Sequence, residues 1–163
     1  MRHNSKYRLR TFLLIPLAIW LSFQLFTIDT IHQWNSNTLL NISHYLNKTQ
    51  TLIFPRNLNE KYQILAVVTS APDNFDNRFA IRQTWKNQLE QKNERYKVIF
   101  HVGLHPKSHS INLQVNQEAN HFGDVLLQDF TEHYTNLSVK SALILKFTHQ
   151  DLNPNPDFLL KVH

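Results

Sequence analysis

The sequence holds 163 residues, 42% of them hydrophobic and 18% charged, a composition that supports a packed core and excludes disorder throughout. Its formal net charge is +5, but Arg2, Lys6, Arg8 and Arg10 open the chain, leaving 13 Lys and Arg against 12 Asp and Glu in the remainder, too even a balance for a nucleic-acid-binding surface. Cysteine is absent, which excludes disulfides within the chain.

From Thr11 to Ile28 the chain runs without a charge between Arg10 and Asp29. A helix of that length spans about 27 Å, close to the hydrocarbon thickness of a thin secretory-pathway bilayer. Basic residues on its amino side orient that end toward the cytoplasm. The expectation is a cytoplasmic tail over 1–10, a transmembrane signal anchor over 11–31 with Pro16 tolerated inside it, and lumenal placement beyond. A cleaved signal peptide starts similarly, but no small-x-small site follows the run. A buried soluble helix is the third reading. Residues 32–59 are rich in Asn, Thr and Ser and read as a lumenal stem. They carry two N-glycosylation acceptors, Asn41-Ile42-Ser43 and Asn47-Lys48-Thr49, and a third, Asn136-Leu137-Ser138, lies downstream. Such tripeptides arise by chance in an Asn-rich chain, and their weight here comes from agreement with the lumenal topology.

Beyond residue 60 the pattern alternates. Tyr62–Ser70 is a continuous aliphatic and β-branched run ending at Ala71-Pro72-Asp73, which predicts a buried strand and a turn. Asn77–Gln91 places Ile81, Trp85 and Leu89 on one helical face, with Asp76 or Asn77 as N-cap. A second strand follows at Arg95–Gly103. A helix carries Ile111, Val115, Ala119 and Phe122 on one side. A third strand spans Asp124–Phe130, a third helix Leu137–His149, and a fourth strand Phe158–Val162. Parallel neighbours need crossover connections, so this alternation predicts an α/β fold with a mainly parallel sheet covered by helices on both faces.

In such a sheet ligands bind beyond the carboxyl ends of the strands. Those ends are Thr69–Pro72, Gly103–His105, Gln128–Phe130 and the stretch after Val162. With only Gly103 and Gly123 in the chain, neither a dinucleotide-binding nor a P-loop glycine pattern exists. Arg78 and Arg82, four apart near a helix start, could present cationic forks to a diphosphate, or form a solvated face. Ser70 ends the first strand, where it could meet a nucleotide or merely begin the turn. Asp129 stands at a strand end, where a carboxylate suits ribose or support of a cation, or is solvated in a loop. Trp85 shares the face of Ile81 and Leu89 and reads as core packing rather than sugar stacking. Among ten histidines, His101, His105 and His109 raise a zinc hypothesis, but His101 falls within a strand and Pro106 breaks any helix that would align the other two.

Four blocks together resemble the β-1,3-galactosyltransferase family of inverting, UDP-sugar-dependent enzymes: Ile64–Trp85, Tyr96–Gly103, Glu118–Ser141 and Phe158–Val162. The specific elements are R-x-A-I-R-x-T-W and D-F-x-x-x-Y-x-N-L-S-x-K, and the resemblance spans about 60–163, read as the amino-terminal part of a glycosyltransferase domain. It implies a GT-A-like nucleotide-binding sheet, here truncated and preceded by one transmembrane helix, on a Golgi type II membrane enzyme. The reaction implied is transfer of galactose or N-acetylglucosamine from a UDP-sugar donor to an acceptor glycan in β-1,3 linkage. It also implies donor-binding roles for Ser70, Arg78, Arg82, Asp129 and Lys140. Lys140 belongs to the third block, although a Lys in a first helical turn is commonly exposed. In the family the fourth strand leads into aspartates that hold Mn²⁺ or Mg²⁺ against the donor diphosphate, hard oxygen ligands suiting such a cation. Here His163 stands where the first would be, so the expectation is a fragment whose metal ligands and catalytic base lie beyond His163, with its fourth strand left at an open edge. The Cys often found ahead of that strand is also missing from Thr148–Leu160. The alternative is a membrane-tethered domain that binds a nucleotide sugar or a partner without turning it over.

Overall fold

The computed structural model describes residues 42–163, and no helix among them is long and apolar enough to cross a membrane. The anchor expected over 11–31 and the acceptor Asn41 lie outside the described residues.

A helix over 42–48 (α1) leads into a five-stranded sheet whose strands are β1 (Thr51–Ile53), β2 (Ile64–Thr69), β3 (Tyr96–Leu104), β4 (Val125–Thr131) and β5 (Phe158–Val162). The spatial order is β1-β4-β3-β2-β5. Pairs β4·β3, β3·β2 and β2·β5 are parallel, and β1 runs antiparallel to β4 at one edge. The mainly parallel sheet is as the alternation predicts. The added strand β1, together with buried Thr49 and Leu58, comes from the polar stretch read as stem, so part of that stretch packs as sheet and core.

Alternation along each central strand feeds two cores. Leu65, Val67, Ile99 and Leu126 face one side, where they pack with Ile144 and Phe147. Ala66, Val68, Val98, Phe100, Val125 and Leu127 face the other, against Val115 and Ala119 and the partly buried Ile81, Trp85 and Leu89. Each fully buried aliphatic side chain contributes about 1.5–3 kcal/mol. Trp85 is therefore a packing residue, as its face implies.

The helices are α2 (Phe75–Ile81), α3 (Asn87–Lys92), α4 (His109–Phe122) and α5 (Leu137–Lys146). The single helix expected over 77–91 is divided by a π-helical turn, Arg82–Lys86, in which Thr84 leaves helical geometry (φ −113°, ψ −111°) and its hydroxyl donates to the Ala80 carbonyl at 2.7 Å. A Thr that bonds back to the preceding turn competes with the helical ladder, which accounts for the break. Its N-cap is Asn74, without a side-chain bond, rather than Asp76 or Asn77. In α4, Ser108 Oγ accepts from the Ile111 N–H and Gly123 closes the carboxyl end in the left-handed conformation (φ 69°).

The order of the strands decides where a ligand can enter. The chain steps outward from β2 to β3 to β4, then returns through α5 to place β5 on the opposite side of β2. Helices of the outward steps and of the return cover opposite faces, so the loops diverge beyond the carboxyl ends of β2 and β5 and open a crevice there.

Candidate functional site

A cavity of about 560 Å³ occupies that crevice. Its floor is Thr69 and Ser70 at the end of β2, and the turn Ala71–Asp73 forms one wall. His105 and Pro106 after β3 and Glu132–Tyr134 after β4 form the other, with Leu137 and Lys140 of α5 above and His163 beside Thr69. Apolar and aromatic groups with a few convergent polar ones are what a small-molecule site requires.

Lys140 organises the floor. Its ammonium is 3% exposed and donates to the Ser70 carbonyl and to Glu132 Oε2, each at 2.8 Å. Burial lowers its pKa, and the neighbouring Glu132 carboxylate opposes the shift. Glu132 in turn accepts from the Gly103 N–H at 3.2 Å. This ties together the ends of β2, β3 and β4 where the β3·β4 register shifts between Val102 and Leu104. Gly103 is required there, since a Cβ would stand 2.7 Å from the Phe130 ring and 2.8 Å from its carbonyl oxygen. Thr69 Oγ1 donates to the Val162 carbonyl at 3.0 Å, closing the β2·β5 side.

Arg78 is fully buried, and all five of its N–H donors meet protein acceptors. Nε and Nη2 donate to the Glu118 carboxylate at 2.6–3.1 Å, Nη1 to Ser70 Oγ at 2.8 Å and the Ala71 carbonyl at 2.6 Å, and Nη2 also to the Pro72 carbonyl at 3.0 Å. The residue thus holds the wall of the cavity in place from behind. Arg82 donates to the same Glu118 at 2.7 Å and to both oxygens of Asp124 at 2.8 and 3.0 Å, while its guanidinium stacks on Phe122 and Phe100 at 4.0 and 4.7 Å. Burial works against the Arg82 charge, but the bonds and charges of Asp124 and Glu118 outweigh it and raise the pKa. Lys86 extends the chain to Glu90 at 2.7 Å and approaches Asp124 at 3.8 Å.

Of the five residues expected to meet a donor, the fold brings Ser70 and Lys140 into the cavity wall. Arg78 and Arg82 stand outside its lining with their forks committed to carboxylates, so in this structure they brace the site rather than offer donors to a diphosphate. Asp129 is exposed and lies away from the cavity, its N–H bonded to the Gln50 carbonyl beside β1. The carboxylate that β4 and its following loop bring to the cavity is Glu132. Asn47 is exposed, and Asn136 is half-buried with its amide donating to the Thr131 carbonyl at 3.1 Å.

The histidines do not converge. His101 is fully buried, with Nε2 2.8 Å from Gln128 Oε1 and Nδ1 unpartnered, and burial together with the Lys140 charge pushes its pKa down to about 3. His105 accepts the Lys107 and Ser108 N–H groups through Nδ1. Among the described residues no group of three His, Cys, Asp or Glu side chains could hold a metal ion. The described residues therefore form no ligand set for the Mn²⁺ or Mg²⁺ expected with a diphosphate.

The sequence pattern assigns no site role to Glu118 or Glu132, and Tyr134 enters it only as a position of the D-F-x-x-x-Y motif. Three basic residues at spacing four, Arg78, Arg82 and Lys86, were the available signal that a buried acidic partner must come from another element.

The family model described as "Galactosyltransferase" matches residues 76–163, over half of the chain. The chain is 35% identical over 95 residues to "Beta-1,3-galactosyltransferase bre-2" of Caenorhabditis elegans, covering 56% of this chain and 26% of that protein. It is 40% identical over 80 residues to "Beta-1,3-galactosyltransferase GALT1" of Arabidopsis thaliana, covering 49% and 12%. It is 35% identical over 101 residues to "Lactosylceramide 1,3-N-acetyl-beta-D-glucosaminyltransferase A" of Danio rerio, covering 57% and 26%. The matched stretch thus spans about a quarter or less of these three relatives. The matched region contains Arg78 and Arg82, the cavity wall from His105 to His163 and α5, and the chain belongs to the galactosyltransferase family.

Proposed function

We propose that this chain supplies the nucleotide-sugar-binding part of a β-1,3-glycosyltransferase, moving galactose or N-acetylglucosamine from a UDP-sugar to an acceptor glycan. The observation that carries the reading is the cavity at the point where strand order reverses, beyond the carboxyl ends of β2 and β5, the place where open α/β sheets take ligands. Its chemistry suits the uridine end of the donor. Pro72, Pro106, Tyr134 and Leu137 offer flat and apolar surface for a base, and Asp73 and Glu132 offer acceptors for ring N–H or ribose hydroxyl groups. Lys140 is the one Lys or Arg in the lining, and it is already shared with Glu132 and the Ser70 carbonyl. The described residues thus suit the nucleoside better than the diphosphate.

Placement as a Golgi single-pass type II membrane protein is part of the same proposal, supported by the uncharged run Thr11–Ile28 with its basic flank and by the acceptors Asn41, Asn47 and Asn136. A mobility shift of the protein from animal cells on glycosidase treatment tests it, and an unshifted band counts against it.

The donor reading is tested by calorimetric titration of the full chain with UDP, UDP-galactose and UDP-N-acetylglucosamine, using GDP as control. Binding of the uridine nucleotides in preference to GDP is expected. Absence of uridine nucleotide binding, or equal affinity for GDP, refutes it.

A further inference from the structure

A second cavity, of about 500 Å³, lies at the opposite ends of the strands. It is lined by Asp124 just before β4, Lys97 near the start of β3, and Gly123 at the carboxyl end of α4. The glycosyltransferase reading makes no use of it.

Its charge does not balance. Arg82 and Lys86 form part of its wall, but they belong to the buried network in which Arg78, Arg82 and Lys86 face Glu118, Asp124 and Glu90, three cations against three carboxylates. Beyond that neutral set the lining adds Arg56 and Lys97 and no further carboxylate. Neither Arg56 nor Lys97 has an ion-pair partner among the described residues.

Arg56 is held in a cradle made for it. Its Nη2 donates to the carbonyls of Asn120 and His121 at 2.7 and 2.9 Å, and its N–H donates to the Gly123 carbonyl at 2.7 Å. A Cβ on Gly123 would stand 2.2 Å from Arg56 Nε, so the glycine serves both the left-handed turn and the close passage of the guanidinium. This fixes the group before any ligand arrives, while its Nε and Nη1 hydrogens meet no protein acceptor among the described residues. Asn57, also in the left-handed conformation (φ 58°), lines the same space with the amides of Gln83 and Asn87. A fixed guanidinium, a second cation in Lys97 and neutral amides around them recognise an anion rich in acceptor oxygens.

We propose that this second cavity is a binding site for a tetrahedral oxyanion, a phosphate or sulfate group, held between Arg56 and Lys97. The group is either a free ion or an ester on a sugar, and the amides of Asn57, Gln83 and Asn87 would take hydroxyls of the latter.

The chain's two glycines make the test direct, because Gly123 borders this cavity and the Gly103 N–H bonds Glu132 of the first. Full-length protein labelled with [¹⁵N]glycine gives one backbone amide signal for each. Titration with inorganic phosphate or sulfate, against chloride at matched ionic strength, is expected to displace the Gly123 signal saturably and leave Gly103 in place. Lys97→Ala should weaken the apparent affinity about tenfold and Lys97→Glu should abolish it, with an unchanged Gly103 signal reporting that each variant is folded. A sulfated disaccharide binding more tightly than inorganic sulfate assigns the site to a sugar ester, and equal affinity assigns it to the free ion. No saturable shift at Gly123, the same shift with chloride, or undiminished binding by both variants overturns the proposal.

Discussion

Replacing Glu118 with Ala should be far more damaging than its position on the outer helix α4 suggests. The Glu118 side chain is 8% exposed and accepts from Arg78 Nε and Nη2 and from Arg82 Nη1. Its loss strips a partner from three charged N–H donors on two side chains that are themselves 0% and 6% exposed. At about 1.5–3 kcal/mol for each bond to a charged group the simple total overshoots, because water can follow the vacated carboxylate. Removing one partner from a buried ion pair costs about 3–5 kcal/mol. For a domain of this size that corresponds to a fall in melting temperature on the order of 10–25 °C. Glu118→Gln keeps the volume and one acceptor oxygen and should fall between wild type and Glu118→Ala. Thermal unfolding of the full chain, followed by circular dichroism, provides the assay. Because Arg78 holds the Ser70–Pro72 turn, nucleotide affinity should fall with stability. A melting temperature for Glu118→Ala within about 3 °C of wild type would refute the idea that this carboxylate braces the fold.

Substitutions at His101, Lys140 and Gly103 test the same geometry. His101 has a folded pKa of about 3 against 6.5 when unfolded, so the unfolded chain binds the proton first. Stability present above pH 6.5 is then lost as pH falls toward 3, by about 1.4 kcal/mol per unit. His101→Gln should lose that difference in slope in denaturant titrations across this range, and an unchanged slope contradicts it. Lys140 has its pKa lowered by burial, so the wild type should gain stability relative to Lys140→Met as pH rises toward 10.5, and parallel curves count against a buried ammonium. Lys140→Met also leaves Glu132 with only the Gly103 N–H and the Ser70 carbonyl without the ammonium and should weaken UDP binding measurably by calorimetry. Gly103→Ala drives a methyl group into Phe130 and should cost about 1–3 kcal/mol in chemical denaturation; a neutral result means the β3·β4 irregularity is more pliant than the contact implies.

The sequence pattern exposes strands β2 to β5 because each carries a short apolar run, buried on both faces in β2, β3 and β4, and the stripe Ile81, Trp85, Leu89 because spacing four repeats without interruption. Strand β1 is invisible to the same reading. Thr51-Leu52-Ile53 is three residues long in a polar stretch, and it owes its conformation to antiparallel pairing with β4. Arg78 and Arg82 stood out correctly as unusual, but helical spacing cannot tell a fork aimed at a ligand from one aimed at Glu118 forty residues away. The likeness to a donor site lay in the spacing of the two arginines and in the family resemblance, and the identity of the braced partners was set only by the packing of α4 against that helix. β5 does sit at the sheet edge, with Phe158 and Leu160 65% and 53% exposed.

The account rests on the strand-end cavity receiving the nucleotide, and photolabelling with an azido-uridine analogue of UDP-galactose tests this most directly. Irradiated with the full chain and mapped by mass spectrometry, the label should attach within residues 69–73 or 132–140 and be displaced by excess UDP. Label placed elsewhere, or unaffected by UDP, would contradict it.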